Sequence, residues 1–331
     1  VFARTDFNIG RSQLTVRHNY VDGFNDVGSQ SNSNYQFPGN FYTQNSTTNS
    51  TVGQLNSRFG QAVNEFRFTY TRIRDFRTTS SDRFPHVVVR LPDATRFTLG
   101  TDNSSQANEL DQDALELNND YTMVRGTHTY TFGTHNEFFQ FRNLFIQNLY
   151  GNYDFASIDN FAAGIAQGSQ HGFSLTTDPQ QAARFDVYQF GLYAGDQWRM
   201  KPNFTLTYGV RWDKPVFPEE RPANPPPVET SGFRTDVVPT PQQWSPRAGF
   251  NWDLSTDELR QQLRGGVGLF GGRNPFAYLS NQDGNTGIEF RRLSLNFNAN
   301  NRVTFSPDPD NQPKAVGNAG TNEIDVVDPD Y

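Results

Sequence analysis

Cysteine is absent from the 331 residues, which excludes disulfides, thiolate metal sites and cysteine nucleophiles. Methionine occurs only twice, and no run approaches the roughly 18 consecutive apolar residues of a membrane-spanning helix. A basic run is missing too, and the net charge is -7. Phosphate binding needs clustered Lys and Arg, so nucleic acid is not an expected partner. Only 34% of residues are hydrophobic and the mean hydropathy is -0.72, too little for a comfortable soluble core at this length. Aromatics are plentiful nonetheless, with 30 Phe and 13 Tyr, and disorder is not indicated.

The apolar residues are concentrated in pairs of short alternating segments. In Phe185–Arg199 and Phe204–Asp213, residues Tyr188, Phe190, Leu192, Ala194 and Trp198, then Leu206, Tyr208, Val210 and Trp212, occupy every second position. Successive strand side chains point to opposite faces, so each arm has one apolar and one polar face. Four further pairs repeat the pattern: Val1–Ile9 with Gln13–Val21, Thr51–Phe59 with Ala62–Ile73, Asp113–Val124 with His128–Gln140, and Trp244–Asp253 with Gln261–Gly271. Tight turns join the partners of each pair. Long polar connections separate the pairs: Asp22–Ser50, Arg74–Gln112, Phe141–Arg184, Lys214–Gln243 and Gly272–Tyr331.

Loops this long are improbable inside a compact soluble domain, whereas a barrel turned outward to lipid produces this alternation of short turn and long loop. The expectation is an all-β chain forming part of a transmembrane antiparallel β-barrel in the cell outer membrane. It has about ten up-and-down strands, short periplasmic turns and long extracellular loops. The polar-phase residues Arg17, Glu65, Arg67, Glu116, Asp120, Arg211, Arg247 and Arg264 are then lumen-facing candidates. Trp198, Trp212, Trp244 and Trp252, at strand ends, are candidates for an interfacial aromatic girdle. Asp196 and Asn119 fall on the apolar phase, and an interfacial position close to the turn would accommodate Asp196. After Gln140 the alternation dissolves, which a bulge or a strand running beyond the membrane would explain.

Candidate chemistry is sparse. His128 and His135 differ by an odd number and face opposite sides of one strand, so dispersed histidines are expected rather than a metal site. Asp308, Asp310, Asp325, Asp328 and Asp330 lack the spacing of a calcium loop. Gly265-Gly266-Val267-Gly268 lies in a strand pattern without the helix a phosphate loop requires. No Gly-x-Ser-x-Gly elbow occurs, and Glu219-Glu220 sit in a Pro-rich loop with nothing to orient them. Neither an enzyme nor a cofactor is expected. The aromatics Tyr150, Tyr153, Phe155 and Phe161 of the third long connection are read as packing within a loop layer.

The hairpin Tyr193–Asp213 resembles the signature hairpin of TonB-dependent outer-membrane receptors, through Tyr193, Asp196, Trp198, Pro202, Leu206, Gly209 and Arg211. Asn64–Arg67, Ser245–Phe250 and Leu263–Phe270 resemble the Oar-like branch of that family, as does the tail Ile324–Tyr331. The resemblance implies a barrel of about twenty-two strands around an N-terminal plug, moving a ligand with energy relayed by the TonB complex. Residues 1–331 would be the central part of such a barrel, an internal fragment without signal peptide, plug or C-terminal strands. The implied partners are outer-membrane lipid, the TonB complex through the plug, and an unknown ligand such as a siderophore, oligosaccharide, peptide or protein. A passive porin-type channel and a secreted β-structured binding module are the competing readings.

Overall fold

The computed structural model describes residues 1–220, 234–272, 276–285, 288–295, 302–314 and 324–327. Ten strands form one antiparallel sheet in sequence order. They are β1 Phe2–Ile9, β2 Ser12–Val27, β3 Tyr42–Phe59, β4 Ala62–Thr79, β5 Asn108–Arg125, β6 His128–Phe145, β7 Ala183–Lys201, β8 Phe204–Val216, β9 Gln243–Asp253 and β10 Gln262–Gly268. All five expected hairpins are present, each closed at the expected end. In three of them a glycine with φ near +60° occupies the first of two loop positions: Gly10, Gly60 and Gly126. A following residue with negative φ makes this the type II′ geometry, whose twist matches that of the flanking strands. The one irregularity in the ladder lies between Arg199 and Lys201, beside the Pro202-Asn203 turn.

The tight-turn ends agree with the sequence pattern, but the other ends do not. β3 begins at Tyr42 rather than Thr51, and β5 at Asn108 rather than Asp113. β6 continues without a bulge to Phe145. At 18 residues a strand is roughly 60 Å long, about twice what a tilted crossing requires. The extra length stands outside the apolar layer. There the outward face no longer meets lipid, so the regular alternation of apolar and polar side chains stops while backbone pairing persists.

The long connections are also folded. Asn34–Gln36, His86–Arg90, Arg96–Leu99, Asn152–Phe155, Gly168–Ser174 and Phe290–Leu295 assemble into a second, six-stranded sheet. Two of its joins are parallel, because its strands come from different connections. Tyr153 and Phe155 are fully buried there with Val87, Val89 and Leu295, and Phe161 packs against them. Tyr150 lies under the Arg83 guanidinium, 4.9 Å from its ring centre. Helix α1, Ile158–Ala162, is capped by the Ser157 hydroxyl, which accepts from the Asn160 amide.

The ten-stranded sheet buries little on its outward face. Phe66, Phe68, Tyr70, Phe132, Leu192, Tyr208 and Val210 are all exposed, Leu192 by 54%. Their same-face positions in neighbouring strands make a continuous apolar surface far larger than a soluble monomer tolerates, which hydrocarbon covers instead. Among the described residues no helix is long and apolar enough to cross a membrane; the crossing is made by strands. Leu192→Arg should destabilise the barrel in lipid bilayers by about 2–4 kcal/mol, read as a shift of the denaturant midpoint. The lumen-side Thr131→Arg should shift it far less.

Candidate functional site

The strand register sets the inner wall in cross-strand rows. One row runs Glu65, Asp120, Gly133, Tyr193, Arg211 and Ser245, and the adjacent one Arg67, Asn118, His135, Gly191 and Asp213. Arg17 belongs to the row of Val52, Thr69, Glu116 and Glu137. Arg247 lies opposite Gly209, and Arg264 opposite Asn251. All eight lumen-facing candidates therefore share one face of the sheet. Arg67, Glu116, Asp120, Arg211 and Arg247 line a single concavity of about 560 Å³ together with Asn118, His135 and Tyr193. Arg17, Glu65 and Arg264 lie outside it.

Hydrogen bonds and ion pairs along and across the strands hold this wall in shape. Arg67 pairs with Glu65 on its own strand. The Arg211 guanidinium grips Asp213, with Nε 2.7 Å and Nη2 2.6 Å from its carboxylate oxygens. The Tyr193 hydroxyl donates to Asp120, reaching from β7 over β6 to β5. That reach needs a gap in β6, and Gly133 provides it: a Cβ there would lie 2.3 Å from the Tyr193 ring. His135 bonds the Asn118 side chain and lies 3.3 Å from the Glu137 carboxylate. Charges of both signs thus face the lumen in fixed orientations. Such a surface offers directional hydrogen bonds to a polar ligand or protein segment, with no single sign of charge dominating.

Nearer the open ends the inner wall turns apolar, a feature the alternation did not announce. Phe139 and Phe141 of β6 and Phe185 and Val187 of β7 share the face of His135 and Tyr193. They are buried under helix α2, Phe276–Gly284, through Phe276 and Leu279. Gln282 anchors the helix by donating to the carbonyls of Thr235 and Val237, at 2.6 and 3.0 Å. The available signal was four apolar side chains in the polar phase, beside the stretch where the pattern dissolves. Their partner is about 90 residues or more away in sequence, so periodicity alone does not identify it.

Two of the polar residues on the outward face, Asp196 and Asn119, are held by their neighbours in the sheet. Asp196, near the tight turn, is only 6% accessible. Its Oδ2 lies 2.6 Å from His128 Nδ1 and accepts from the Tyr208 hydroxyl at 2.8 Å, while the His128 ring stacks between Tyr130 and Trp198. Asn119 and Asn64 exchange reciprocal amide hydrogen bonds of 2.9 and 3.1 Å. Each polar group has found its partner within the sheet, which lowers the cost of placing it against lipid. His128 and His135 do face opposite sides. In the six-stranded sheet, which forms a cap, His171 is buried and His86 half-buried, and loss of hydration pushes both imidazoles below their ordinary pKa.

Trp198 lies by the tight turn of β7 and β8, and Trp252 sits edge-on to Phe204 at the same end of the sheet. Trp212 and Trp244 are direct cross-strand partners with ring centres 6.5 Å apart. Six residues separate the levels of Trp198 and Trp212 and eight those of Trp252 and Trp244, which raises the second pair roughly 15–20 Å above the first along tilted strands, within the ~25 Å apolar band of such barrels. Of the acidic positions, Asp308 and Asp310 lie in a turn, with the Asp310 amide donating to Asp308, and Asp310 pairs with Arg83. Asp325 accepts from the Asn285 side chain at 2.6 Å. Asp328, Asp330 and the end of the Ile324–Tyr331 tail lie outside the described residues.

Comparison with known proteins is consistent with this geometry. The model of the outer membrane beta barrel domain family matches residues 1–331, and the chain belongs to that family. Its place is the outer membrane. The crystal structure of the outer membrane transporter YddB from Escherichia coli is similar in fold, with a TM-score of 0.56 and 14% identity. The match covers 88% of this chain and 36% of YddB, so this chain spans about a third of that protein. No curated protein sequence matches it. Within the inner wall, Gly133→Ala should cost on the order of 1 kcal/mol by displacing Tyr193 from Asp120. A double-mutant cycle checks it: beside Tyr193→Ala, the cost of Gly133→Ala should largely vanish.

Proposed function

We propose that this member of the outer membrane beta barrel domain family is wall and outer cap of an Oar-like TonB-dependent receptor, which moves a ligand through a plugged barrel. One observation carries the reading: the inner face is a pre-ordered, mixed-charge hydrogen-bonding wall rather than a sparsely lined water channel. Tyr193, Asp120, Arg211 and Asp213 are fixed by one another, and fixed donors and acceptors of both signs suit a protein plug that must seat and then shift. The residues of the resemblance divide between the two surfaces. Tyr193 and Arg211 join the wall, whereas Asp196 and Trp198 join the outward cluster. The transporter named by the YddB structure supports the same reading at the level of fold.

In this account the cap captures the ligand, the plug apex receives it, and pulling by TonB rearranges the plug along the polar wall. The chain performs no covalent chemistry. The test is conductance of the full-length protein in planar bilayers. A plugged receptor should be nearly closed in native buffer and open reversibly when urea loosens the plug. It should also bind the purified periplasmic domain of TonB. A steady open conductance in native buffer, with no TonB binding, would establish a passive channel instead.

A further inference from the structure

On β4 the outward positions run Phe66, Phe68 and Tyr70, and then Arg72 and Arg74. The same change from apolar to polar or ionic follows Leu115 on β5, Phe138 on β6 and Tyr188 on β7, which are cross-strand neighbours of Tyr70 and of one another. Between the tight turn at Gly60 and Tyr70 lies about the strand length a barrel needs to cross the hydrocarbon layer. The ionic level therefore stands where lipid headgroups of the outer leaflet begin.

One cross-strand row at this level reads Arg74, Asp111, Arg142 and Arg184. Arg74 is held by Asp113 at 2.6 Å and Asp111 at 3.5 Å, and Arg142 by Glu109 at 2.8 Å and Asp111 at 3.5 Å. These carboxylates fix two guanidinium groups on a surface that remains partly open. Arg184 lies directly opposite Arg142, is exposed, and makes no ion pair among the described residues. Like charges directly opposite each other destabilise a sheet unless an anion joins them. We propose that this row is a docking site for the phosphorylated headgroup of an outer-leaflet lipid. Phosphate oxygens bridge Arg142 and Arg184, each guanidinium offering its planar fork of donors, while the acyl chains lie along Tyr70, Leu115, Phe138 and Tyr188. Geometry and depth select a lipid-borne phosphate over a soluble one, because a soluble anion would gain nothing from the apolar face below.

Native mass spectrometry of the full-length protein in detergent, titrated with diphosphoryl lipid A, tests the site. Arg184→Gln should weaken retention of the lipid about tenfold, the effect of removing a charge-assisted contact. Lys314→Gln, an equal charge change in the cap, should leave it unchanged. Asp111→Asn should strengthen retention, by freeing Arg142 for phosphate. Heat-modified gel migration verifies that each variant is folded. Inorganic phosphate at millimolar concentration should not displace the lipid, and displacement would mean an anion site without a lipid role. Equal retention by the wild type and a folded Arg184→Gln variant would overturn the proposal.

Discussion

Inside a hydrocarbon layer no water is available to an open peptide group, so every backbone N–H and C=O must be bonded within the protein. The ten-stranded ladder is the consequence, and the sorting of side chains follows from it. Once the backbone is committed to a pleated sheet, alternate residues have no choice of side. The chain therefore needs few hydrophobic residues, since lipid supplies the partner that a soluble domain must build from its own core. A 34% apolar content, inadequate for a globule, suffices for one apolar face.

The same constraint explains where polar residues are admitted outside. Asp196 persists on the lipid side because His128 and Tyr208 satisfy one of its oxygens, and Asn119 because Asn64 answers it. On the inner side water is allowed, and the wall can afford free charges. Yet its central groups are mutually bound, through Tyr193 to Asp120 and Arg211 to Asp213. A bound network of this kind keeps its shape, as the proposed passage of a ligand or plug segment along the wall requires.

What was legible in the sequence is what strand geometry writes locally. The glycine turns and the alternation of Phe66, Phe68 and Tyr70 against Glu65, Arg67 and Thr69 give strand, register and face without reference to the rest of the chain. The concavity of Tyr193, Arg211 and Arg67 was legible in part, because the polar phase was visible but the rows were not. The remainder was hidden for one physical reason: it depends on partners distant in sequence. The outward face of the outer halves of β3 and β5 no longer meets lipid, and no regular alternation betrays them. The cap sheet joins short strands from four connections, and Phe139, Phe141, Phe185 and Val187 are explained only by Phe276 and Leu279.

The absence of cysteine from these 331 residues makes the central claim directly measurable, once any cysteine elsewhere in the full-length protein is replaced by serine. Single cysteines placed in turn from Asn64 to Tyr70 in the full-length protein, in lipid vesicles, report which side each position faces. The positions of Glu65, Arg67 and Thr69 should react with a water-soluble maleimide, and those of Phe66 and Phe68 should be shielded and quenched by a lipid-borne quencher when labelled with a fluorophore. A two-residue period in both signals is the expected result. Labelling that rises and falls without that period, or water access at Phe66 and Phe68, would contradict a lipid-facing apolar surface.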